Sequence, residues 1–494
     1  MRYDVAIIGA GVDGLSAAAL LARAGLKTVL IEAKDHPGGL AETTEFHTGF
    51  RASRWVDETA PIPATLYWQL DLARRGAVFV PSAASSAVWP DRKTCFSYSS
   101  TSRAATLLKT ATRLAEQGVE QARATRSRAH AVPWLSRLRG VLRRGPESWP
   151  GSEWAELSLH ELGMRSVLDT DDVAHLAALC VAGRAADPFL HGSALQLLAP
   201  GAGSSGIIMG GMGKLAAALV QAARESNAEI RCGLDAAEFK FEGNRVAGLV
   251  LADGSEVEAR AVISTLDARR TLLFAWSHLP TEIRGKANAF RMRGSMARIL
   301  VALERPPEDA IGALSDGPIH VAPALEGMAR AFMAWRSDML ADELPIMLRL
   351  FAGDCDLAPE GAAVMTITVG CVPLRLIDGP WTKDRRDMLR DRSLAAVESV
   401  LPGTKARVIA AHVITPSDIE DALGATNGDV WAGEIAPDQM FALRPWPGFG
   451  GARTPVKGLY LAGPSSSCGI LASGASGAVA AGAVLTDIRT APST

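Results

Sequence analysis

The chain has 494 residues, 48% of them apolar and 21% charged, with a formal net charge of −2. That length is too great for one compact core and predicts closely packed domains, while near-neutral charge argues against an electrostatic nucleic-acid binder. Cys95, Cys180, Cys232, Cys355, Cys371 and Cys468 form no C-x-x-C pair, which suits a reducing compartment and leaves neither a disulfide framework nor a zinc site to expect.

Residues 5–14 read Val-Ala-Ile-Ile-Gly-Ala-Gly-Val-Asp-Gly. The apolar run predicts a strand buried on both faces, and the residues from Leu15 onward continue at helical period. Between them Gly9 permits a tight turn, Gly11 lets backbone approach a pyrophosphate, and Gly14 lets helix and strand pack closely. A helix N-terminus there offers free N–H groups to an anion. The next predicted strand, 27–33, carries Glu32, an acid placed to grip a ribose hydroxyl. Four residues on, His36-Pro37-Gly38-Gly39-Leu40 holds adjacent glycines that let the chain pass close to a cofactor. A Gly-Gly pair at this position is typical of FAD enzymes of the glutathione-reductase and amine-oxidase type.

The character changes at 101–150, where Arg and Lys are interspersed with Leu107, Leu108, Leu114, Leu135, Leu138 and Leu142. Such a basic, partly amphipathic stretch can lie on an anionic membrane surface or form a solvated face of a substrate domain. Parallel-sheet character returns at 207–219, followed by short strands at 229–232, 236–241, 248–252 and 256–261 with a turn at Asp253-Gly254. Residues 261–265 read as a further buried strand. Apolar runs at Ala297–Leu303, 346–351, 365–369 and 408–413 then predict an antiparallel sheet of α+β type. The chain closes with a strand at 458–462, a loop, and a helix over 472–485 made almost wholly of small residues. A second loop and helix N-terminus near the first is what a long dinucleotide needs. The small residues can face a flat ring, or they can simply pack on the sheet.

These stretches resemble the phytoene dehydrogenase-related group of FAD-dependent oxidoreductases, and within it the pyridine nucleotide-disulfide oxidoreductase domain-containing protein 2 type. The residues that carry the likeness are 5–14, Gly38-Gly39, Gly49-Phe50-Arg51-Ala52-Ser53, Gly210-Gly211-Met212-Gly213, Gly433-Glu434, the run from Gln439 to Pro447, and 458–463. The resemblance spans nearly the whole length. It implies an α/β fold: a Rossmann-like FAD-binding domain of glutathione-reductase/amine-oxidase type, formed by 1–70, 205–275 and 435–494, with an inserted α+β substrate domain formed by 71–204 and 276–434. The cofactor expected is FAD, contacted by Gly9, Gly11, Asp13, Gly14, Glu32, Ala33, Gly38, Gly39, Leu40, Ala236, Gly463, Ile470, Leu471 and Ala472.

In this group the flavin performs the hydride chemistry, and the protein supplies orientation, dryness and sometimes a base. The polar candidates beside the ring are Arg444, Glu434, Ser467 and Ser473. Arg444 can hold a substrate carboxylate or a flavin oxygen, or serve as an ion-pair partner. His47, His320 and His412 are isolated and read as structural, and the Met- and aromatic-rich stretch 328–339 reads as core or pocket wall. Two departures from the group predict a remodelled flavin pocket. Ser467 and Gly469-Ile470-Leu471 stand where relatives carry a His and a Gly-Gly-Gly run, and Ala432 stands where a His commonly precedes Gly-Glu. No C-x-x-x-x-C follows the first segment, so disulfide reduction is not expected.

The expected activity is two-electron dehydrogenation of a hydrophobic or amphipathic small metabolite, with C–C desaturation ahead of amine oxidation. A flavin-binding protein without turnover is the rival class. The electron acceptor stays open. No apolar run is long enough to cross a bilayer, and the N-terminus runs straight into a strand. A cytoplasmic protein is therefore expected, with 101–150 available for peripheral membrane contact.

Overall fold

The apolar run at the N-terminus forms β1 (Tyr3–Ile8), which is buried because it has a parallel neighbour on each side: β2 (Thr28–Ile31) and the strand Glu256–Ser264. The computed structural model describes residues 2–82, 86–89, 94–97, 102–129, 152–181, 183–199, 205–307, 317–445, 451–466 and 473–490. Outward from β1 the sheet continues through β2 to Glu229–Arg231, and on the other side through Glu256–Ser264 to Arg245–Leu251 and Ala236–Glu242. Leu459–Leu461 joins in parallel beside Glu256–Ser264, with Ile263 opposite Tyr460.

Where two strands were expected over 256–265, there is one. Glu256–Ser264 pairs antiparallel with Arg245–Leu251 through its first half and parallel with β1 through its second. The turn at Asp253-Gly254 forms as expected: Gly254 has φ +82° and the Asp253 carboxylate accepts the Ser255 N–H at 2.9 Å.

Helix α1 (Val12–Arg23) presents Leu15, Ala18 and Leu21 to the sheet. It packs against Gly213–Glu225 and the C-terminal helix Ala475–Thr490, which starts later and ends later than its composition suggested. This helix layer and the sheet enclose a core around Val5, Ile7, Leu15, Leu30, Leu219 and Ile263.

The second sheet runs in the order Val408–Ile414, Ala297–Leu303, Ala363–Val369, Ile346–Ala352, Ile319–Val321, Ser86–Trp89, Thr94–Ser97. Its ladders are antiparallel except where Ile319–Val321 meets Ser86–Trp89. Ala297–Leu303 and Ala363–Val369 are buried at every position, because the helix Lys383–Val400 packs on one face and Phe50, Trp55 and Leu357 on the other. The expected plan, a largely parallel α/β layer with an α+β second layer, is thus present.

A helical layer completes the molecule. In the basic stretch, Arg103–Ala129 is one helix whose Ala104, Ala111 and Ala115 are buried against Leu159, Leu162, Val173 and Leu176, with Leu107, Leu108 and Leu114 packed alongside. The apolar stripe over 104–115 is therefore spent on the protein's own core. Residues 130–150, which carried the rest of the membrane-contact expectation, lie outside the described residues. Among the described residues, no helix is long and apolar enough to cross a membrane.

Candidate functional site

The end of β1 opens directly into a crowded glycine turn. Gly9 has φ +92°, and a Cβ there would stand 2.2 Å from Thr265 Oγ1. A Cβ on Gly14 would stand 2.0 Å from the Gly9 carbonyl oxygen. Gly11 is different: it caps α1 at φ −72°, no side chain caps the helix, and a Cβ would meet nothing within 4 Å. Two of these glycines are demanded by packing, and the third faces room. The helix N-terminus thus presents unsatisfied N–H groups and the positive end of its dipole to that room.

The second Gly pair is folded against the first turn. The Gly38 N–H donates to the Ala10 carbonyl at 2.9 Å, and a Gly39 Cβ would lie 3.0 Å from Gly11 Cα. Glu32, at the end of β2, accepts the Ala10 N–H at 2.6 Å and the Lys34 N–H at 3.0 Å. Each carboxylate oxygen keeps lone-pair capacity for a hydroxyl donor. Ala33 is exposed and Leu40 half-buried beside this edge. Ala236 is buried in the apolar layer below, in a segment tied to β2 by Gly233 N–H to Lys34 carbonyl and Leu234 N–H to Glu32 carbonyl bonds.

Asp13 joins this turn to the chain's far end. Its carboxylate accepts the Gly477 N–H at 3.2 Å, and burial pushes its pKa up. A Cβ at Gly477 would stand 2.0 Å from the Asp13 carbonyl oxygen, and one at Gly474 would stand 2.4 Å from Ser16 Oγ. Packing on α1 therefore accounts for these two small residues. Gly463, at φ +89°, donates its N–H to Ser476 Oγ at 2.7 Å, which fixes the loop leaving Leu459–Leu461. Ser473 is buried where this loop meets the C-terminal helix. Ser467, Ile470, Leu471 and Ala472, with the departure at Gly469, lie outside the described residues.

Arg444 takes neither role expected for it. It is 1% exposed, and its guanidinium is committed to backbone: Nη2 donates to the carbonyls of Trp431 at 2.8 Å and Pro464 at 3.0 Å, and Nη1 to that of Glu434 at 3.2 Å. Burial pushes its pKa down to about 10. It is neither open to a substrate nor salt-bridged; it is the pin between segment 431–434 and the loop at Pro464. Ser465 repeats the connection, donating to the Ala432 carbonyl at 3.0 Å while accepting the Ala268 N–H at 2.9 Å. Glu434 pairs with Arg291 Nε at 3.0 Å and Arg293 Nε at 2.5 Å.

The flavin containing amine oxidoreductase family model matches residues 14–360. The chain belongs to this family. It is similar to rat (Rattus norvegicus) pyridine nucleotide-disulfide oxidoreductase domain-containing protein 2, at 25% identity over 99% of this chain and 94% of that protein. It is also similar to the lycopene-forming phytoene desaturase of Pseudescherichia vulneris, at 26% identity over 94% of each. The solved cyclohexylamine oxidase of Brevibacterium oxydans IH-35A shares the fold, with TM-score 0.59 and 16% identity over 99% of each chain. The protein is an FAD-dependent oxidoreductase. The glycine turn fits that cofactor: Gly11 leaves room where a Cβ would otherwise project, bare helix N–H groups face it, and Glu32 stands at its rim.

Beside the pinned segment 431–434, this flavin oxidoreductase has a cavity of about 180 Å³. Its wall comes from separate parts of the chain: Arg184–Asp187 and Leu190–Gln196 from the helical layer, Phe332 and Trp335 from the helix Leu325–Arg336, Arg293 and Ser295 before the second sheet, and 429–437. Phe332 and Trp335 belong to the Met- and aromatic-rich stretch read as core or wall; Met328 is core. Asp429 accepts the N–H groups of Trp431 and Gly433, both at 3.0 Å, and burial pushes its pKa up to about 6. Arg184 lies over the Trp431 ring at 4.2 Å, and Arg293 over the Trp335 ring at 4.7 Å.

Sequence pattern alone does not mark Arg184, Asp429, Trp431 and Arg293 as neighbours. The available signal was a lone Arg directly after the apolar helix Thr170–Val181, and an aromatic just before Gly433-Glu434. Another buried pair was also missed. Arg298 and Asp57 bond twice at 2.8 Å, with Thr366 and Thr368 in support, tying the second sheet to the segment after Phe50–Ser53. His320 is buried, with its pKa pushed down to about 3, and remains neutral in the folded protein.

Proposed function

We propose that the chain dehydrogenates a hydrophobic or amphipathic small metabolite by two electrons, with C–C desaturation as the reaction. FAD, when bound, accepts the hydride equivalent. Gly9, Gly11 and Gly14 form the pyrophosphate turn, Glu32 takes a ribose hydroxyl, and Gly38-Gly39 lets the chain pass beside the cofactor. The loop from Gly463 to Ser473 serves the ring end. The cavity lined by Phe332, Trp335 and Trp431 receives the substrate, excludes water and orients the reacting carbon.

One observation carries this reading: Arg444 and Ser465 bond the cavity wall at 431–434 to Pro464 and Ser465, the described start of the loop that leaves Leu459–Leu461. The phytoene desaturase likeness, which extends over nearly the whole chain, supports C–C over C–N chemistry. The test is anaerobic mixing of the holoenzyme with matched donors, a polyunsaturated or allylic chain against a primary amine of the same skeleton. Flavin bleaching by the hydrocarbon donor with a product two hydrogens lighter supports the reading. Bleaching by the amine alone transfers the activity to C–N oxidation, and no bleaching by either leaves a flavin carrier without turnover.

A further inference from the structure

Four arginines are buried in the described structure, and three of them are spent. Arg298 is clamped by Asp57, Arg349 bonds Glu58 and Ser82, and Arg444 is filled by backbone carbonyls. Arg184 is the exception. It is 8% exposed and lines the cavity, its Nε has no hydrogen-bond partner, and among the described residues no carboxylate pairs with it. Its guanidinium rests on the Trp431 ring, which stabilises the charge without neutralising it.

Two acids not held by arginine stand on the same wall: half-buried Asp187, whose carboxylate accepts the Phe189 N–H at 2.9 Å, and buried Asp429, whose carboxylate already accepts two backbone N–H groups and is felt by Arg444 as well as Arg184. Two buried cations thus share one buried anion. Glu434 does not correct the balance, because Arg291 and Arg293 already hold it. A buried charge left unpaired is costly, and an anion arriving in the cavity would remove that cost. A second unspent polar atom lies on the same wall: Gln196 Oε1 is buried without a partner, while its Nε2 donates to the Ile435 carbonyl at 3.3 Å. Phe332 and Trp335 supply the apolar side. The volume of about 180 Å³ is room for about six water molecules, so a carboxylate and a short apolar stem fit.

We propose that the cavity binds the carboxylate of an amphipathic substrate, with Arg184 as the anion-holding residue and Phe332 and Trp335 against the adjoining apolar stem. This rests on the cavity being the substrate cavity of the dehydrogenase, and it narrows the substrate class to apolar acids. Arg184 is a guanidinium on an aromatic platform, which suits a planar carboxylate better than a compact ammonium would.

The test uses the holoenzyme with octanoate and octanol as probes, each titrated while tryptophan fluorescence and the visible flavin band are followed. Octanoate is expected to bind at least about 10-fold more tightly than octanol, and Arg184→Gln to weaken octanoate by about 10- to 100-fold with octanol unchanged. Arg184→Lys should keep part of the octanoate preference. Equal binding of the two probes by the unmodified enzyme overturns the proposal without any variant, as does octanoate binding that survives Arg184→Gln unchanged. Octanoate that alters tryptophan fluorescence but leaves the flavin band unmoved upholds the anion site and refutes the placement of the cavity at the flavin.

Discussion

Substituting Gly11 and Gly14 by alanine separates two jobs that one motif performs. At Gly14 the added Cβ would stand 2.0 Å from the Gly9 carbonyl oxygen and 3.3 Å from Thr265 Cγ2, so α1 must move away from β1. Backbone cannot yield that distance cheaply, and a loss of about 2–4 kcal/mol in folding stability is expected for Gly14→Ala. At Gly11 nothing lies within 4 Å and the backbone is at φ −72°, ψ 177°, which alanine adopts without strain. Folding should therefore be unchanged within about 0.5 kcal/mol, or slightly improved through the unfolded chain. The methyl group would instead occupy the room in front of the α1 N–H groups. Holding a pyrophosphate off those donors forfeits at least one or two charge-assisted hydrogen bonds, about 3 kcal/mol or a hundredfold in affinity. Urea unfolding of the apoproteins and FAD titration of each variant read the two effects separately. A Gly11→Ala variant that binds FAD as the unmodified protein does, or whose apoprotein is destabilised like Gly14→Ala, refutes this account of the turn.

Arg444→Met should cost about 3–5 kcal/mol in urea unfolding, because the carbonyls of Trp431, Glu434 and Pro464 lose their buried donor; an unchanged unfolding midpoint with a raised KM would return Arg444 to a substrate-binding role. His320 gives a pH test with a definite sign. Its folded pKa is depressed from 6.5 to about 3 by burial, so the unfolded chain takes up the proton first, and the stability it allows above pH 6.5 is lost as pH falls. At about pH 5 that loss is about 2 kcal/mol, and His320→Leu should reduce the drop in stability between pH 7 and 5 by this amount. Asp429, with its pKa raised to about 6, works in the opposite direction and is common to both proteins. Equal acid sensitivity of the two proteins would show that His320 is not held neutral.

What was legible in the residues follows the range of the interaction involved. The turn at 9–14 and the pair at Gly38-Gly39 could be read because glycine spacing and strand period are local properties. The four apolar runs of the second sheet were readable for the same reason. The fusion of two expected strands into Glu256–Ser264 was not, because alternation says nothing about a strand that changes partners midway. Leu-Arg-Pro does not tell whether the Arg444 guanidinium meets a ligand, a carboxylate or three separate segments of backbone. Arg184 and Asp429 were out of reach altogether: they come from distant parts of the chain, and only folding shows that one buried cation lacks a full counter-charge. The small residues before the C-terminal helix carried two explanations, and the close approach of Gly474 and Gly477 to α1 answers for those two positions.

The most direct measurement is an anaerobic titration of the FAD-loaded enzyme with an unsaturated or allylic acid, following the visible flavin band and the mass of the product. Full bleaching is expected at one equivalent of donor per flavin, with a product two hydrogens lighter and loss of this response at the same donor concentration in Arg184→Gln. A flavin that stays oxidised with every apolar acid, yet bleaches with amines or with nothing, would contradict this reading.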